Sequence, residues 1–456
     1  MSNVTAADLH RALQDAGVAA GADTAPYALA GAEPLAVALP ATVEELSAAV
    51  AAASGLGAAV VPWGGGTRQG LGAPPASYDL ALDLRGLDRI VAHEPADLTV
   101  TVQAGCTAVA LRAALGRAWQ WLPMDPPLPD RATIGGTLAA GSAGPLGTGF
   151  GLPREMVIGM RAVLADGTVV KSGGNVVKNV TGFALDRLHV GGLGTLGIIA
   201  EATFKIVPLP QKEATVIAAF ASAEAAAAAS AGVASLGLPM LSIELLNEAA
   251  WAKATEGLSI LPEPVSAAAV QPVNPDAQEG LGDERTWHLV ARAAGRPVSV
   301  SRSVDAWAAA CQSHGGAAAW LQDAESAALA GSVADLGWHD GPPDLAVRIS
   351  VPMSRGAAVL GVLADARLAA SLSVTRGVVR AAWAGDAMPD DASSYLNELR
   401  ERVAGLGGTV VVESRTPIDS VDPWGPPGDG FEVMRGLKEQ YDPQRILNPG
   451  RFLGGL

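Results

Sequence analysis

The chain has 456 residues, 49% hydrophobic and 17% charged, so it can form two or three domains with large cores. Its net charge of −15 argues against nucleic acid and anionic membrane surfaces as partners, since both attract basic proteins. The two cysteines, Cys106 and Cys311, are widely separated in sequence, and the N-terminus lacks signal-peptide character. These features predict a cytoplasmic protein with no structural disulfide.

The first 207 residues predict alternating strands and helices. Thr5 and Thr42 are N-cap candidates, Glu45 completes a capping box with Thr42, and Pro62 is expected to end its strand. Strands are predicted at 35–39, 58–61, 80–84, 87–92, 97–104, 156–164, 168–171 and 198–207, and helices at 5–16, 43–54 and 108–118.

A glycine-rich loop follows the strand that ends at Val61, in the sequence Pro62-Trp-Gly-Gly-Gly-Thr-Arg-Gln69. Glycine adopts positive φ and lets a ligand approach the backbone, and successive N–H groups in such a turn form an anion-binding concavity. The last three residues add a hydroxyl, a cation and an amide. We interpret the loop as a cradle for a pyrophosphate, and an ordinary glycine-rich surface turn is the alternative.

Two more glycine-rich segments lie downstream. Residues 133–144 are almost all small, which indicates either a flat ligand against the backbone or a close contact between a helix and a strand. Gly192-Leu-Gly-Thr-Leu-Gly197 matches the dinucleotide fingerprint G-x-G-x-x-G. That fingerprint requires a helix at its last glycine, whereas the residues that follow have strand composition, so a Rossmann fold is rejected.

Beyond a linker at 208–212, residues 213–415 predict one α+β domain without a phosphate-binding glycine loop. The proline and glycine turns of residues 441–452 predict that the end of the chain is docked. Strands are predicted at 213–220, 241–246, 287–293, 345–351, 377–383 and 409–413, helices at 221–234, 303–312, 357–370, 393–406 and 431–440, a mixed or helical region at 318–330 and a long loop at 260–284.

The sequence lacks the motifs of several enzyme classes. It has no H-E-x-x-H, no C-x-x-C, no P-loop and no G-x-S-x-G elbow, and none of its six histidines lies near another in sequence. We therefore predict no metal site. The glycine turns favour a bound cofactor, which would supply the chemistry itself.

Five motifs occur in a characteristic order: Val61-Pro-Trp-Gly-Gly-Gly-Thr67, Glu94–Gly105, Thr133-Ile-Gly-Gly-Thr137, Gly194–Thr203 and the closing segment Asp442–Phe452. Together they resemble the FAD-binding domain of the vanillyl-alcohol oxidase (PCMH-type) flavoproteins. The resemblance implies an α+β fold: a PCMH-type FAD-binding domain of two α+β subdomains at 1–207, an α+β cap domain at 208–419, and a C-terminal segment at 420–456 that returns to the FAD domain.

Within this family the chain resembles the FAD-binding subunits of glycolate oxidases, through Lys178-Asn-Val-Thr-Gly-Phe183 and Gly191–Gly197. Catalytic relatives usually have Glu where this chain has Leu193, and an H-x-G-D-G-N-x-H run that supplies metal and substrate groups. The corresponding region here, residues 374–380, has no histidine. The resemblance therefore argues against independent oxidation of a 2-hydroxy acid.

The resemblance also implies how FAD is held. The first glycine loop would bind the pyrophosphate, the second segment would follow the pyrophosphate and isoalloxazine, the third would lie near the adenosine, and Asn448 would approach the flavin ring. Residues 62–72 lack the histidine that anchors the flavin in several relatives, so noncovalent FAD is expected, with Cys106 as a core thiol. The predicted cofactor-binding residues are Pro62, Trp63, Gly64, Gly65, Gly66, Thr67, Arg68, Gln69, Pro126, Thr133, Ile134, Gly135, Gly136, Ala139, Ala140, Gly141, Gly194, Gly197, Ile198, Ile199 and Asn448.

Three functions follow from these observations. The leading hypothesis is the flavin subunit of a glycolate (2-hydroxy acid) oxidoreductase that works with a second flavin subunit and an iron–sulfur subunit, and that reaches the inner membrane only through them. The alternative is a stand-alone FAD-dependent oxidase or dehydrogenase of an unidentified alcohol or hydroxy acid. The third is a scaffold without flavin, which the intact glycine loops disfavour. Candidate catalytic groups are Arg376, Arg380 and Asn448. The two arginines lie in the predicted cap domain together with Arg348, His288 and Tyr395, and for each of these five the favoured explanation is a surface or strand-end residue.

Overall fold

The computed structural model describes residues 4–174, 184–258, 286–339, 341–363, 368–383, 389, 391–415 and 421–456. The chain divides into two compact units: Met1–Ala143, Leu152–Leu209 and Asp419–Leu456 form the first, and Gly144–Gly151 and Pro210–Ile418 form the second. Within the described ranges, no helix has the length and apolar character needed to span a bilayer.

The helices and strands are numbered in chain order. The helices are α1 (Ala6–Asp15), α2 (Val43–Leu56), α3 (Ala108–Gly116), α4 (Ile134–Ala140), α5 (Gly147–Phe150), α6 (Pro153–Met156), α7 (Asp186–His189), α8 (Ala223–Ser235), α9 (Glu248–Thr255), α10 (Pro297–Ser313), α11 (Asp323–Ala334), α12 (Gly356–Leu363), α13 (Ala392–Ala404) and α14 (Phe431–Tyr441). The strands are β1 (Ala20–Gly21), β2 (Ala36–Ala38), β3 (Val60–Trp63), β4 (Leu80–Asp83), β5 (Ile90–Glu94), β6 (Thr99–Gln103), β7 (Gln120–Trp121), β8 (Val157–Val163), β9 (Val169–Gly173), β10 (Ile198–Lys205), β11 (Val207–Pro208), β12 (Lys212–Phe220), β13 (Ser242–Leu246), β14 (Trp287–Gly295), β15 (Ala317–Gln322), β16 (Leu345–Ser350), β17 (Ala369–Ser373), β18 (Val378–Trp383) and β19 (Thr409–Arg415).

Two main sheets build the first unit. One has the strand order β1-β2-β4-β3, with β4 parallel to both β2 and β3, and the other is antiparallel with the order β5-β6-β10-β8-β9. The central strand β4 is covered on both faces: Leu80 and Leu82 join the core of α1 and α2, and Ala81 packs with Tyr27 and Trp63. The strand β3 therefore leaves a well-packed sheet and leads directly into the first glycine loop.

Two local predictions in this unit are wrong. Pro62 does not end its strand, because β3 continues to Trp63 and Pro62 pairs in register with Leu82. The strand is at the edge of its sheet, where the missing N–H of proline is tolerated. Thr42 does cap α2, but the Glu45 carboxylate accepts from the N–H of Ala41 at 2.8 Å, so it does not complete the capping box.

The second unit is built on an antiparallel sheet of eight strands in the order β15-β12-β14-β13-β17-β18-β16-β19. Residues 214–220 of β12 are all buried. Helices α9 and α11 pack against Ile217 and Ala219, and α8 and α10 also pack on β12. A strand that is buried at every position is expected when helices cover both faces of a sheet.

The region predicted as mixed or helical at 318–330 is mixed, since β15 is followed there by α11. The structure differs from the prediction at 357–370, where β17 overlaps the end of the predicted helix. The strand β15 begins with three alanines, which favour helix, so its pairing with β12 overrides local propensity. The loop predicted at 260–284 and the motif at 178–183 lie outside the described residues.

Candidate functional site

In the first unit, all three glycine-rich segments and the C-terminal turn line one cleft. The segments come from the loop after β3, from α4, from the loop before β10 and from the turn after α14. The lining residues are Pro62, Trp63, Gly64, Gly65, Gly66, Thr67, Arg68, Gln69, Leu71, Leu84, Ala104, Thr133, Gly135, Gly136, Ala139, Ala140, Leu193, Gly194, Ile198, Ile199, Asn448 and Arg451.

Two glycines of the first loop, Gly64 and Gly65, lie so close to residues 131–133 that neither has room for a side chain. A Cβ at Gly64 would overlap the Thr133 hydroxyl, and one at Gly65 would overlap the carbonyl oxygen of Arg131. Gly66 has a φ of +71°, which other residues rarely adopt. Among the described residues, the N–H groups of these three glycines have no protein acceptor. The loop therefore presents backbone donors to the cleft, as an anion site requires.

The second glycine segment forms the short helix α4, for which Thr133 is the N-cap and accepts from the N–H of Gly136 at 3.2 Å. A Cβ at Gly135 would lie 2.5 Å from the Cβ of Ala104, just beyond β6. The close contact between helix and strand is therefore present. Gly135 and Gly136 also line the cleft, so the two interpretations of this segment do not exclude each other.

The third segment leads directly into β10, which begins at Ile198, so the predicted strand is confirmed and no helix follows Gly197. Leu193 of this segment has a φ of +51°, and its N–H donates to the carbonyl of Ala139 in α4 at 2.9 Å. The N–H of Gly191 donates to Leu138 at 2.9 Å. These bonds hold the second and third segments together along the cleft.

Asn448 joins the C-terminal turn to the cleft. Its N–H donates to the carbonyl of Val60 at 2.8 Å, and its Nδ2 donates to the carbonyl of Leu193 at 2.6 Å. Asn448 is buried and has a φ of +47°. Within the described part of the chain, its Oδ1 has no hydrogen-bond partner. Because buried polar atoms are nearly always paired, this oxygen marks a position where a bound ligand could donate a hydrogen bond to it.

Arg451 is a residue of the cleft that the sequence analysis missed. It is 3% exposed, and its guanidinium donates to the carbonyls of Gln69 (2.5 Å) and Leu71 (2.7 Å) and to the Gln69 Oε1 (2.6 Å). The only available signal was its place in the closing motif. Four further lining residues lie outside the predicted set because apolar side chains carry no chemical signature: Leu71, Leu84, Ala104 and Leu193.

A buried polar network fixes the side chain of Trp63. Its indole N–H donates to the Tyr78 hydroxyl at 2.7 Å, which donates to the carbonyl of Tyr27 at 2.9 Å. The Tyr27 hydroxyl donates to Asp83 at 2.7 Å, and Arg85 pairs with the same carboxylate at 2.6 Å. Burial raises the pKa of Tyr78 above its ordinary value, so its hydroxyl stays protonated and can donate. Trp63 is thus a rigid part of the cleft wall.

Four predicted cofactor-binding residues are not among those that line the cleft. Ile134 is a core residue at 1% exposure, and Gly141 ends α4 with a φ of +60°. A Cβ at Gly197 would lie 2.8 Å from the ring of His189, so this glycine is required by packing. Pro126 is the fourth predicted residue that does not line the cleft.

The arginine candidates for catalysis lie in the second unit, where both have structural contacts. Arg380 donates to the carbonyls of Val333 and Ala334, at 3.3 and 3.2 Å, in the last turn of α11, and it lies 3.7 Å from buried Glu244. Arg376 donates to the carbonyl of Gly144 at 3.0 Å.

The other polar groups considered in this unit also have structural partners. Arg348 pairs with Glu413 at 2.9 Å, and the His288 ring stacks on Trp251 with centroids 4.4 Å apart. Tyr395 packs edge-on against Trp383 at 5.6 Å. Within the part of the chain that the structure describes, no group of three or more His, Cys, Asp or Glu residues could hold a metal ion.

Replacing Arg380 with methionine tests whether it is structural or catalytic. We expect the free energy of unfolding of the second unit to fall by about 2 kcal/mol, because Glu244 loses a nearby cation and two helix-end carbonyls lose their donor. Turnover per bound flavin should stay within about twofold of wild type, a factor worth less than ~0.5 kcal/mol. Urea unfolding and steady-state kinetics give the two values, with Arg402→Met in an exposed ion pair as control. A large loss of turnover with unchanged stability would make Arg380 catalytic.

Comparison with protein families matches both parts of the chain. Residues 34–173 match the FAD binding domain, and residues 209–413 and 426–452 match the C-terminal domain of FAD linked oxidases. The second match covers more than half of the chain. The cofactor predicted from the resemblance, FAD, is thereby confirmed.

Curated relatives include oxidases and dehydrogenases. Glycolate oxidase subunit GlcD of Bacillus subtilis (strain 168) is 28% identical, over 92% of this chain and 89% of its own length. A probable mitochondrial D-lactate dehydrogenase of Danio rerio is 26% identical, over 91% and 84%. Glycolate oxidase subunit GlcE of Escherichia coli (strain K12) is 38% identical, but over only 32% of this chain and 42% of its own length.

Solved structures share the fold. A crystal structure of p-cresol methylhydroxylase with substrate bound superposes with a TM-score of 0.70 at 18% identity, over 98% of this chain and 97% of that one. Alkyldihydroxyacetonephosphate synthase superposes with a TM-score of 0.65 at 17% identity, over 91% and 76%. The predicted PCMH-type α+β fold is therefore confirmed.

Proposed function

Because this chain belongs to the FAD-linked oxidases, an oxidoreductase family, we propose that it uses noncovalently bound FAD to oxidise a small 2-hydroxy acid. The observation that carries the proposal is the cleft formed by all three glycine-rich segments, with close-packed glycines and an unsatisfied buried oxygen. The substrate class follows the names of the glycolate oxidase and D-lactate dehydrogenase relatives.

Residues of the cleft have distinct proposed roles. The N–H groups of the first glycine loop bind the pyrophosphate of FAD, and Arg68, which donates to the Ser142 hydroxyl at 2.8 Å, adds positive charge beside them. Asn448 presents its Oδ1 to a donor of the flavin ring. Trp63 excludes water from one wall. When bound, FAD would supply the redox chemistry by accepting a hydride equivalent, two electrons and one proton, from the carbon that bears the hydroxyl, whose own proton would pass to solvent.

Two observations favour a noncovalent cofactor. Residues 62–72 contain no histidine, so the first loop has no imidazole that could attach to the flavin. Cys106 is buried, and burial raises the pKa of its thiol to about 11. Since the thiolate is the reactive form, this sulfur is a poor nucleophile at neutral pH.

As the physiological setting, we propose a cytoplasmic flavin subunit that works with a second flavin subunit and an iron–sulfur subunit. Its similarity to GlcE and the missing H-x-G-D-G-N-x-H run support this setting. Two cysteines cannot ligate an iron–sulfur cluster of the usual four-cysteine type, so such a cluster would have to come from a partner. A stand-alone dehydrogenase is the second candidate, supported by the matches to GlcD and D-lactate dehydrogenase over most of the chain.

The purified chain should show a flavin absorption spectrum, and acid precipitation should release the colour into the supernatant as FAD. Colour retained in the pellet would refute the noncovalent assignment, and a chain that stays colourless after incubation with FAD would refute the proposed function. Glycolate and D-lactate are then added without oxygen. Bleaching of the isolated chain would favour the stand-alone enzyme, whereas bleaching only after addition of partner subunits would support the complex.

A further inference from the structure

A buried ion pair closes the C-terminal end of α14. Lys438 is 2% exposed and Asp442 is 0% exposed. The Lys438 Nζ donates to Asp442 Oδ2 at 2.6 Å, to the carbonyl of Thr195 at 2.8 Å and to the carbonyl of Leu447 at 2.9 Å. An ammonium group has three donors, so every one of them is used.

The Asp442 carboxylate completes the arrangement. It accepts from the N–H of Ile446 at 3.0 Å and from the N–H of Leu447 at 2.8 Å. Leu447 is therefore held through its N–H by the carboxylate and through its carbonyl by the ammonium. The next residue is Asn448, so the ion pair fixes the backbone from which the Asn448 side chain extends into the cleft wall.

The same ammonium also fixes the loop opposite Asn448. Thr195 lies two residues beyond Leu193, whose carbonyl accepts from Asn448 Nδ2 at 2.6 Å. Both Leu193 (φ +51°) and Asn448 (φ +47°) are in the left-handed region. Asparagine tolerates this region, but leucine is strained in it, and such strain persists only where the surrounding contacts determine the conformation. Lys438 supplies one neighbouring contact on each side, to the carbonyls of Thr195 and Leu447.

We propose that Lys438 is a positioning residue for the flavin site, which holds Leu193 and Asn448 in their left-handed conformations by tying the loop of Thr195 to the turn of Leu447. The inference rests on the assignment of the cleft to FAD. Stability alone explains the pair poorly, because apolar pairs of similar size often replace buried ion pairs without loss. Burial also lowers the pKa of Lys438, against the attraction of Asp442, which shows that the charge is held at a cost.

The test uses the double variant K438M/D442L, which replaces both charges with apolar side chains. The single variant K438M would leave Asp442 buried without its cation. The matched control is R435M on the same helix, since Arg435 forms an exposed ion pair with Glu432. Hydrogen exchange of the cofactor-free chain should be at least about tenfold faster for peptides 190–198 and 446–452, equivalent to ~1.4 kcal/mol of local opening, and unchanged for peptide 157–163. Exchange at the wild-type rate in all three peptides would overturn the inference.

The second measurement is made with FAD. We expect the dissociation constant of FAD to rise at least about tenfold in K438M/D442L, with a shifted visible spectrum of the bound flavin at saturation, while R435M behaves as wild type. A purely structural pair would lower the melting temperature and leave the spectrum of bound flavin unchanged, which would refute positioning. Faster exchange with unchanged FAD affinity and spectrum would also refute positioning, whereas failure of the wild-type chain to bind FAD would instead refute the proposed function.

Discussion

Gly65→Ala is expected to raise the dissociation constant of FAD by at least about a hundredfold, equivalent to ~2.7 kcal/mol. The added methyl group would overlap the backbone carbonyl oxygen of Arg131, which cannot rotate away as a flexible side chain could. The first loop must therefore move, and its N–H groups would leave the positions that face the cleft. FAD binding to the cofactor-free variant can be followed by quenching of flavin fluorescence.

Gly55→Ala is the matched control for this substitution. Gly55 lies inside α2, and nothing lies within 4 Å of a Cβ placed there. Alanine should stabilise the helix by about 0.5–1 kcal/mol and leave FAD affinity unchanged. If Gly65→Ala bound FAD as tightly as Gly55→Ala, close packing of the first loop would not be a requirement for the cofactor.

Arg451→Met is expected to lower the free energy of unfolding of the first unit by about 3 kcal/mol and to weaken FAD binding. The guanidinium donates to the carbonyls of Gln69 and Leu71 and to the Gln69 side chain, in a loop that continues from the first glycine loop. Each buried acceptor that loses its donor costs about 1–3 kcal/mol, and solvent reaches these oxygens only if the loop opens. Urea unfolding of the cofactor-free chain measures the stability loss.

Arg435→Met provides the control, because Arg435 is exposed and forms a surface ion pair with Glu432. Its loss should change the free energy of unfolding by less than about 0.5 kcal/mol. FAD affinity is measured on the same preparations, so the two effects can be compared. If Arg451→Met were as stable as the wild type, the loop at 69–73 would not depend on this guanidinium, and the assigned hydrogen bonds would be wrong.

The sequence by itself determined the features that local rules govern. Glycines at 64–66 and 135–136 indicated a close backbone approach, and the structure brings these segments together in one cleft. The β-branched residues after Gly197 excluded a Rossmann helix, and β10 begins there. Thr5 and Thr42 were recognisable N-caps because the cap bond spans only three residues.

Only the tertiary structure decided which distant residues complete the cleft. Arg451 contacts Gln69 and Lys438 contacts Thr195 across more than 240 residues of sequence, and no local periodicity encodes such pairs. The same reason explains β15, whose alanines favour helix until β12 offers a partner strand. Glycines in the sequence indicate where one backbone segment must approach another closely. Only the folded chain determines which distant side chains hold those segments in place.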